Sequence, residues 1–190
     1  MKIDKQLNLV CPIETDSGVV YIHSTPIGRE VFEKYFLPLS KTFGAIFTEG
    51  LQVVAGPRVA AMLLKKVSIE DGVWDGPQGV SSGLMEEIRR LSNVAVPTDA
   101  GWATLPLYDA LAKGHLEQRD VDEAENAIVF FTCISLMCKR SEAATFVTGM
   151  SEIWGTLTTS SNVTEYARSL PMLTETGTSS PEVKPSSIPA

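Results

Sequence analysis

Residues 127–138 read A-I-V-F-F-T-C-I-S-L-M-C and leave a helix almost no side to turn towards water. A helix that is apolar all round is buried, in a core or against another chain. Its 12 residues fall short of the roughly 20 that a bilayer span requires. Upstream, Asp120 and Glu123 stand three apart in a capping-box pattern, which predicts a helix start near Val121. The early positions Asp122, Glu123 and Glu125 read as solvated, and Lys139 and Arg140 suit the negative end of the helix dipole. The chain is therefore organised about one central helix with a polar start and an apolar end.

The remaining elements are shorter. Residues 7–13 alternate apolar and other side chains, residues 19–22 favour strand, and Glu14-Thr15-Asp16-Ser17-Gly18 between them is rich in turn formers, which predicts a β-hairpin. Pro12 carries no N–H and belongs at an edge or strand end. Ser24-Thr25-Pro26 reads as a helix start. Phe32, Phe36, Leu39, Phe43 and Phe47 then recur at helical spacing and predict a core-facing stripe, with Pro38 breaking the helix near Leu37 and Gly50 stopping it. A short helix is expected over 59–64 and a glycine-rich loop holding Trp74 over 68–83. Leu84, Ile88 and Leu91 line an amphipathic helix that Pro97 ends. Asp99-Ala100-Gly101-Trp102 is turn-like, and 105–114 reads as a short helix closed by Gly114. Ser141 caps a further helix through Phe146 to Ile153. No internal repeat stands out.

With 190 residues and 44% of them apolar, the expected architecture is α+β. A mainly helical domain with an N-terminal β-hairpin occupies 1–170, and 171–190 form a Ser/Thr/Pro-rich tail too poor in apolar bulk to order. The net charge of −7 argues against a nucleic-acid partner, which needs a cationic face. The pairs Lys65-Lys66, Arg89-Arg90 and Lys139-Arg140 are separated by acids and read as solvated helix faces. No apolar leader follows Met1, so the expected location is the cytoplasm, with no membrane association. There the sequon Asn162-Val163-Thr164 goes unused, and Cys11, Cys133 and Cys138 read as buried thiols without metal spacing.

Chemistry is sparse. His23 and His115 have no partner motif, and His23 reads as a surface or capping imidazole rather than a general base. Phosphate loops are lacking too: Gly44, Gly50 and Gly56 do not make G-x-G-x-x-G, and no G-K-[ST] occurs. The expectation is a protein that is not an enzyme, with no catalytic residue, cofactor or metal.

The words L-N-L-V (7–10), V-Y-I-H-S-T-P-I-G-R-E-V-F-E-K-Y-F (20–36), V-V-A-G-P-R-V-A-A (53–61), G-V-W-D-G-P (72–77), G-L-M-E-E-I-R-R-L-S-N-V (83–94) and W-G-T-L-T-T-S-S-N-V-T-E-Y-A-R-S-L-P (154–171) resemble, over nearly the whole chain, the tail assembly chaperones of long-tailed bacteriophages and prophages. The resemblance implies a helper that coats the tape measure protein in the host cytoplasm and yields to the tail tube protein. It also implies absence from the mature virion, and in some family members a longer frameshifted form. Such a chaperone needs apolar surface that accepts helices. Candidate partner-binding residues are Phe130, Phe131, Ile134, Met137 and Trp154, all equally suited to a core. A homo-oligomer is compatible with the same features. The rival is a minor structural or completion protein retained in the tail, and a third reading is a small hydrolase using His23.

Overall fold

The computed structural model of the protein describes residues 2–3, 8–48, 50, 52–135 and 163–171. The fold is α+β, built on a five-stranded antiparallel meander in the order β1-β2-β3-β4-β5: Lys2–Ile3, Leu9–Thr15, Gly18–Ser24, Ser92–Thr98 and Gly101–Pro106. The expected hairpin is β2–β3, with Thr15 opposite Gly18 across Asp16 and Ser17. Pro12 sits opposite Tyr21 inside β2, but β1 pairs only Leu9 and Val10, so among the described residues the proline stands at the edge beyond β1.

A second hairpin, β4–β5, replaces the expected continuation of helix to Pro97 and the helical reading of Leu105 and Pro106. Val94, Val96, Ala103 and Leu105 alternate inward, and β5 is an edge strand that tolerates Pro106 at its end. The turn seen at Asp99-Ala100-Gly101 is its tip.

Between β3 and β4 runs a helical excursion: α1 (Arg29–Lys34), α2 (Phe36–Thr48), α3 (Gln52–Glu70), a wide π turn (Val80–Met85) and α4 (Glu86–Arg90). Its neck is closed where Ser92 donates to Ile88 and shares a 3.0 Å hydrogen bond with Ser24, and where the Thr25 N–H meets the Leu91 carbonyl at 3.1 Å. Ser24 is thus the end of β3 and not a helix cap. The α1–α2 break falls at Tyr35, two residues before the expected position. That leaves Pro38 in the first turn of α2, where its missing N–H has no intrahelical partner to lose. Gly50 closes α2 with φ +69. The predicted 59–64 helix is the middle of the longer α3, which carries Pro57 inside it, and the loop shrinks to the residues between Glu70 and Val80.

After β5 come α5 (Leu107–Ala112) and α6 (Gln118–Ser135). Helix α6 begins three residues earlier than expected, because Asp120 plays the other part in the cap. Its Oδ2 reaches back to accept the Glu117 N–H at 2.8 Å, so Asp120 is the third helical residue and not the cap. Helix α6 lies between α3 and the inner face of the sheet. Leu9, Cys11, Ile13, Val20 and Ile22 from the strands share one buried core with Ala124, Ile128 and Phe131 of α6.

Two features permit the close approach of α3 and α6. A Cβ at Gly56 would run into the Phe130 ring. Asn126 turns its Oδ1 to the Ala61 N–H at 2.9 Å, entering the backbone ladder of α3 one turn after Pro57. The outer face of the sheet carries α7 (Val163–Ser169), whose Tyr166 stacks edge-on against Tyr21 at 5.8 Å. Trp102 also stacks edge-on against Tyr21, at 5.5 Å, and donates to the Pro171 carbonyl at 2.9 Å.

Candidate functional site

The predicted partner-binding residues separate. Phe130, Phe131 and Ile134 are buried in the core between α6, α3 and the sheet. Of the two fates open to an all-round apolar helix, the core is the one observed, and a partner would reach these three side chains only by parting α6 from its neighbours. Met137, Trp154, Cys138, the Lys139-Arg140 pair, the helix expected after Ser141 and the tail beyond Pro171 lie outside the described residues.

Apolar surface appears instead at the α1–α2 corner. The expected core stripe splits: Leu39 is fully buried and Phe32 and Phe43 half-buried, but Phe36 is 48% exposed and Phe47 is exposed as well. The break at Tyr35 rotates Phe36 away from the core line, and Leu37 beside it is 60% exposed. Leu37 also lines a cleft of about 480 Å³ between this corner and the glycine-rich loop, together with Pro38, Val73, Val80 and the lysines Lys34 and Lys41.

The floor of the cleft is Tyr35. Its ring is buried, and its hydroxyl donates to the Gln78 and Gly79 carbonyls at 3.2 and 3.3 Å. That hydroxyl occupies the place a Cβ would take at Gly83, on the π turn. A π turn is an uncommon element, frequent at functional sites. The loop is tied by the Val80 N–H to the Val73 carbonyl at 2.9 Å and by the Ser81 N–H to the Trp74 carbonyl at 3.0 Å. At the rim, Lys41 pairs with Asp71 at 2.7 Å and the Lys34 ammonium lies 5.0 Å from the Tyr35 ring centroid.

A second, smaller cleft of about 310 Å³ lies where α3, α4 and α6 meet, with Met62, Lys65, Trp74, Arg89 and Glu125 on its walls. Two expected solvated charges are buried or half-buried here. Glu125 accepts from Arg89 twice, at 2.5 Å from Nε and 3.2 Å from Nη2, and Arg89 reaches Glu86 at 3.0 Å. Burial opposes the charge on Arg89, but its hydrogen bonds and attraction to Glu125 prevail and hold the guanidinium above its ordinary pKa. Trp74 packs partly against the core with Lys65 5.8 Å from its ring, which makes it the anchor of the loop.

His23 lies on β3 opposite Val10 and Asn93 and is buried, not at the surface. Cys11 and Cys133 are buried free thiols pushed up to about 12 by burial, so they stay protonated at neutral pH. Among the described residues no group of three or more His, Cys, Asp or Glu is placed to hold a metal ion. Among the same residues no helix is long and apolar enough to cross a membrane. The chain matches no protein-family model, no curated protein and no solved structure.

Proposed function

We propose that this protein works by binding another polypeptide, as a tail assembly chaperone that keeps the phage tape measure protein soluble in the host cytoplasm and gives way to the tail tube protein. The observation that carries the reading is the apolar surface at the α1–α2 corner. Phe36, Leu37 and, across the cleft, the 42% exposed Val73 stand beside a preformed concavity. Contiguous exposed apolar side chains next to a cleft are the mark of an interaction surface. A chaperone for a long helical client needs such a face, and the net charge of −7 keeps unloaded copies apart.

The test is co-expression with the tape measure protein of the same phage. The expected result is a soluble complex that co-purifies, and a client that stays insoluble with this chain present removes the proposal. The alternative, a minor structural or completion protein, is separated by mass spectrometry of purified virions. A chaperone is absent from them, whereas a structural part is retained at fixed stoichiometry.

A further inference from the structure

We infer that the cleft at the α1–α2 corner seats one apolar anchor side chain of an acidic amphipathic helix, whose carboxylates flank the anchor and meet Lys34 and Lys41. This rests on the reading that the protein binds a helical polypeptide, and it names the chemistry of that helix and where it docks. Three observations converge on it.

The first is charge. Among the described residues, the charged ones lining the cleft are Lys34, Lys41 and Asp71, two cations against one anion, in a chain whose net charge is −7. An acidic segment is repelled by the molecule at large and accepted here, which gives register as well as attraction. The Lys41–Asp71 pair at 2.7 Å is partly exposed on both sides, and such pairs contribute little, so an incoming carboxylate can exchange with Asp71.

The second is the lining. Leu37 of α2 and Val73 of the loop both line the cleft and hold apolar surface open to solvent, and the Tyr35 hydroxyl is committed to the Gln78 and Gly79 carbonyls. Tyr35 therefore closes the bottom of the cleft with its polar end already satisfied, and leaves the apolar contact to Leu37 and Val73. The volume, about 480 Å³, falls in the range of roughly 300–1,000 Å³ typical of binding pockets. Because the loop is fixed by its own hydrogen bonds, little ordering is needed on binding.

The third is spacing. Leu37 and Lys41 are one turn apart on α2. A helix laid along α2 with an apolar residue and a carboxylate four apart meets both at once.

The experiment co-purifies the tape measure protein with wild-type protein, Leu37→Ala, the Lys34→Glu/Lys41→Glu pair and, as an exposed control that does not line this cleft, Met62→Ala. A photoreactive residue at position 37 maps the contact. The expected result is that wild type and Met62→Ala bind alike, while Leu37→Ala and the charge reversal each weaken binding by roughly tenfold or more. The cross-link should fall in a client segment with acidic residues a turn from an apolar one. Leu37, Lys34 and Lys41 are all exposed, so unchanged circular dichroism and melting separate lost binding from lost folding.

If wild type binds the client but both variants bind within twofold of it, the cleft is not the seat and the chaperone reading survives. A cross-link to a second copy of this chain, or to a segment without carboxylates, overturns the inference in the same way. If wild type itself fails to bind, both fall together.

Discussion

The hydroxyl of Thr98 donates to the carbonyl of Gly101 at 2.9 Å across the tip of the second hairpin, and the Thr15 hydroxyl makes the same contact with Gly18 at 2.7 Å across the first. Both tips are written T-D-x-G, as Thr15-Asp16-Ser17-Gly18 and Thr98-Asp99-Ala100-Gly101, and both glycines take positive φ, +123 and +112. A Cβ at either glycine would meet nothing within 4 Å, so the cost of placing a side chain there is backbone strain alone. Gly18→Ala and Gly101→Ala should each lose about 1–3 kcal/mol. Thr15→Val and Thr98→Val should lose less, about 0.5–1 kcal/mol each, because the hydrogen bonds are exposed. Urea denaturation of the four variants checks the order.

Both tips are legible in the sequence as turns, but only the first is flanked by two runs that read as strands. Val94, Val96 and Leu105 alternate as strand residues do, but Pro97 and Pro106 read as breakers, and an edge hairpin that tolerates both is fixed only by its neighbours. The first hairpin and the central helix were readable because alternation and an unbroken apolar run are local signals. The site was not. An all-round apolar helix looks the same whether core or partner covers it, so Phe130, Phe131 and Ile134 carried no mark of their burial. The exposure of Phe36 and Leu37 follows from a helix break at Tyr35 that Pro38 announced only approximately. Arg89 and Glu125 are 36 positions apart, and no periodicity reports such a pairing.

Gly56 and Phe130 should be energetically coupled. Gly56→Ala drives a methyl into the Phe130 ring and is expected to cost about 1–3 kcal/mol. Phe130→Leu alone opens a cavity and costs a similar amount. In combination the smaller side chain makes room for the methyl, so the double variant should be more stable than the two losses added. A double-mutant cycle by thermal or chemical unfolding reads the difference, and strict additivity would contradict the contact.

Asn126 should matter more than its polarity suggests. Its Oδ1 takes the Ala61 N–H and its Nδ2 donates to the Asp122 carbonyl at 2.8 Å. Asn126→Leu leaves a partly buried donor of α3 without that acceptor, next to the turn already disturbed by Pro57, and should lose about 1–3 kcal/mol. Hydrogen exchange at Ala61 and Met62 should quicken more than exchange near the ends of α3.

The Arg89–Glu125 pair is buried on the glutamate side and about a quarter exposed on the arginine side. Arg89→Met strands a buried carboxylate, whereas Arg89→Met with Glu125→Leu removes both charges. The single variant should lose about 1–3 kcal/mol, scaled down for partial solvent access, and the double less than the single. Chemical denaturation at neutral pH distinguishes the two, and equal losses would mean the carboxylate finds water once released.

Alkaline pH should unfold this protein through its thiols. Burial pushes Cys11 and Cys133 up to about 12 from an ordinary 9.0, and Tyr166 up to about 12 from 10.0 by burial with help from Tyr21. In the unfolded chain the thiols release protons from about pH 9 upwards, while the folded chain keeps them. Between those limits the unfolded state binds fewer protons, so stability falls as pH rises. The contribution is fully present below about pH 9 and is lost progressively as the pH rises towards 12. Cys11→Ala/Cys133→Ala should start lower at about pH 8, from the lost packing, yet decline less steeply above pH 9. Denaturation midpoints for both proteins across that window supply the check. Parallel curves would mean that the thiols reach solvent before the fold gives way.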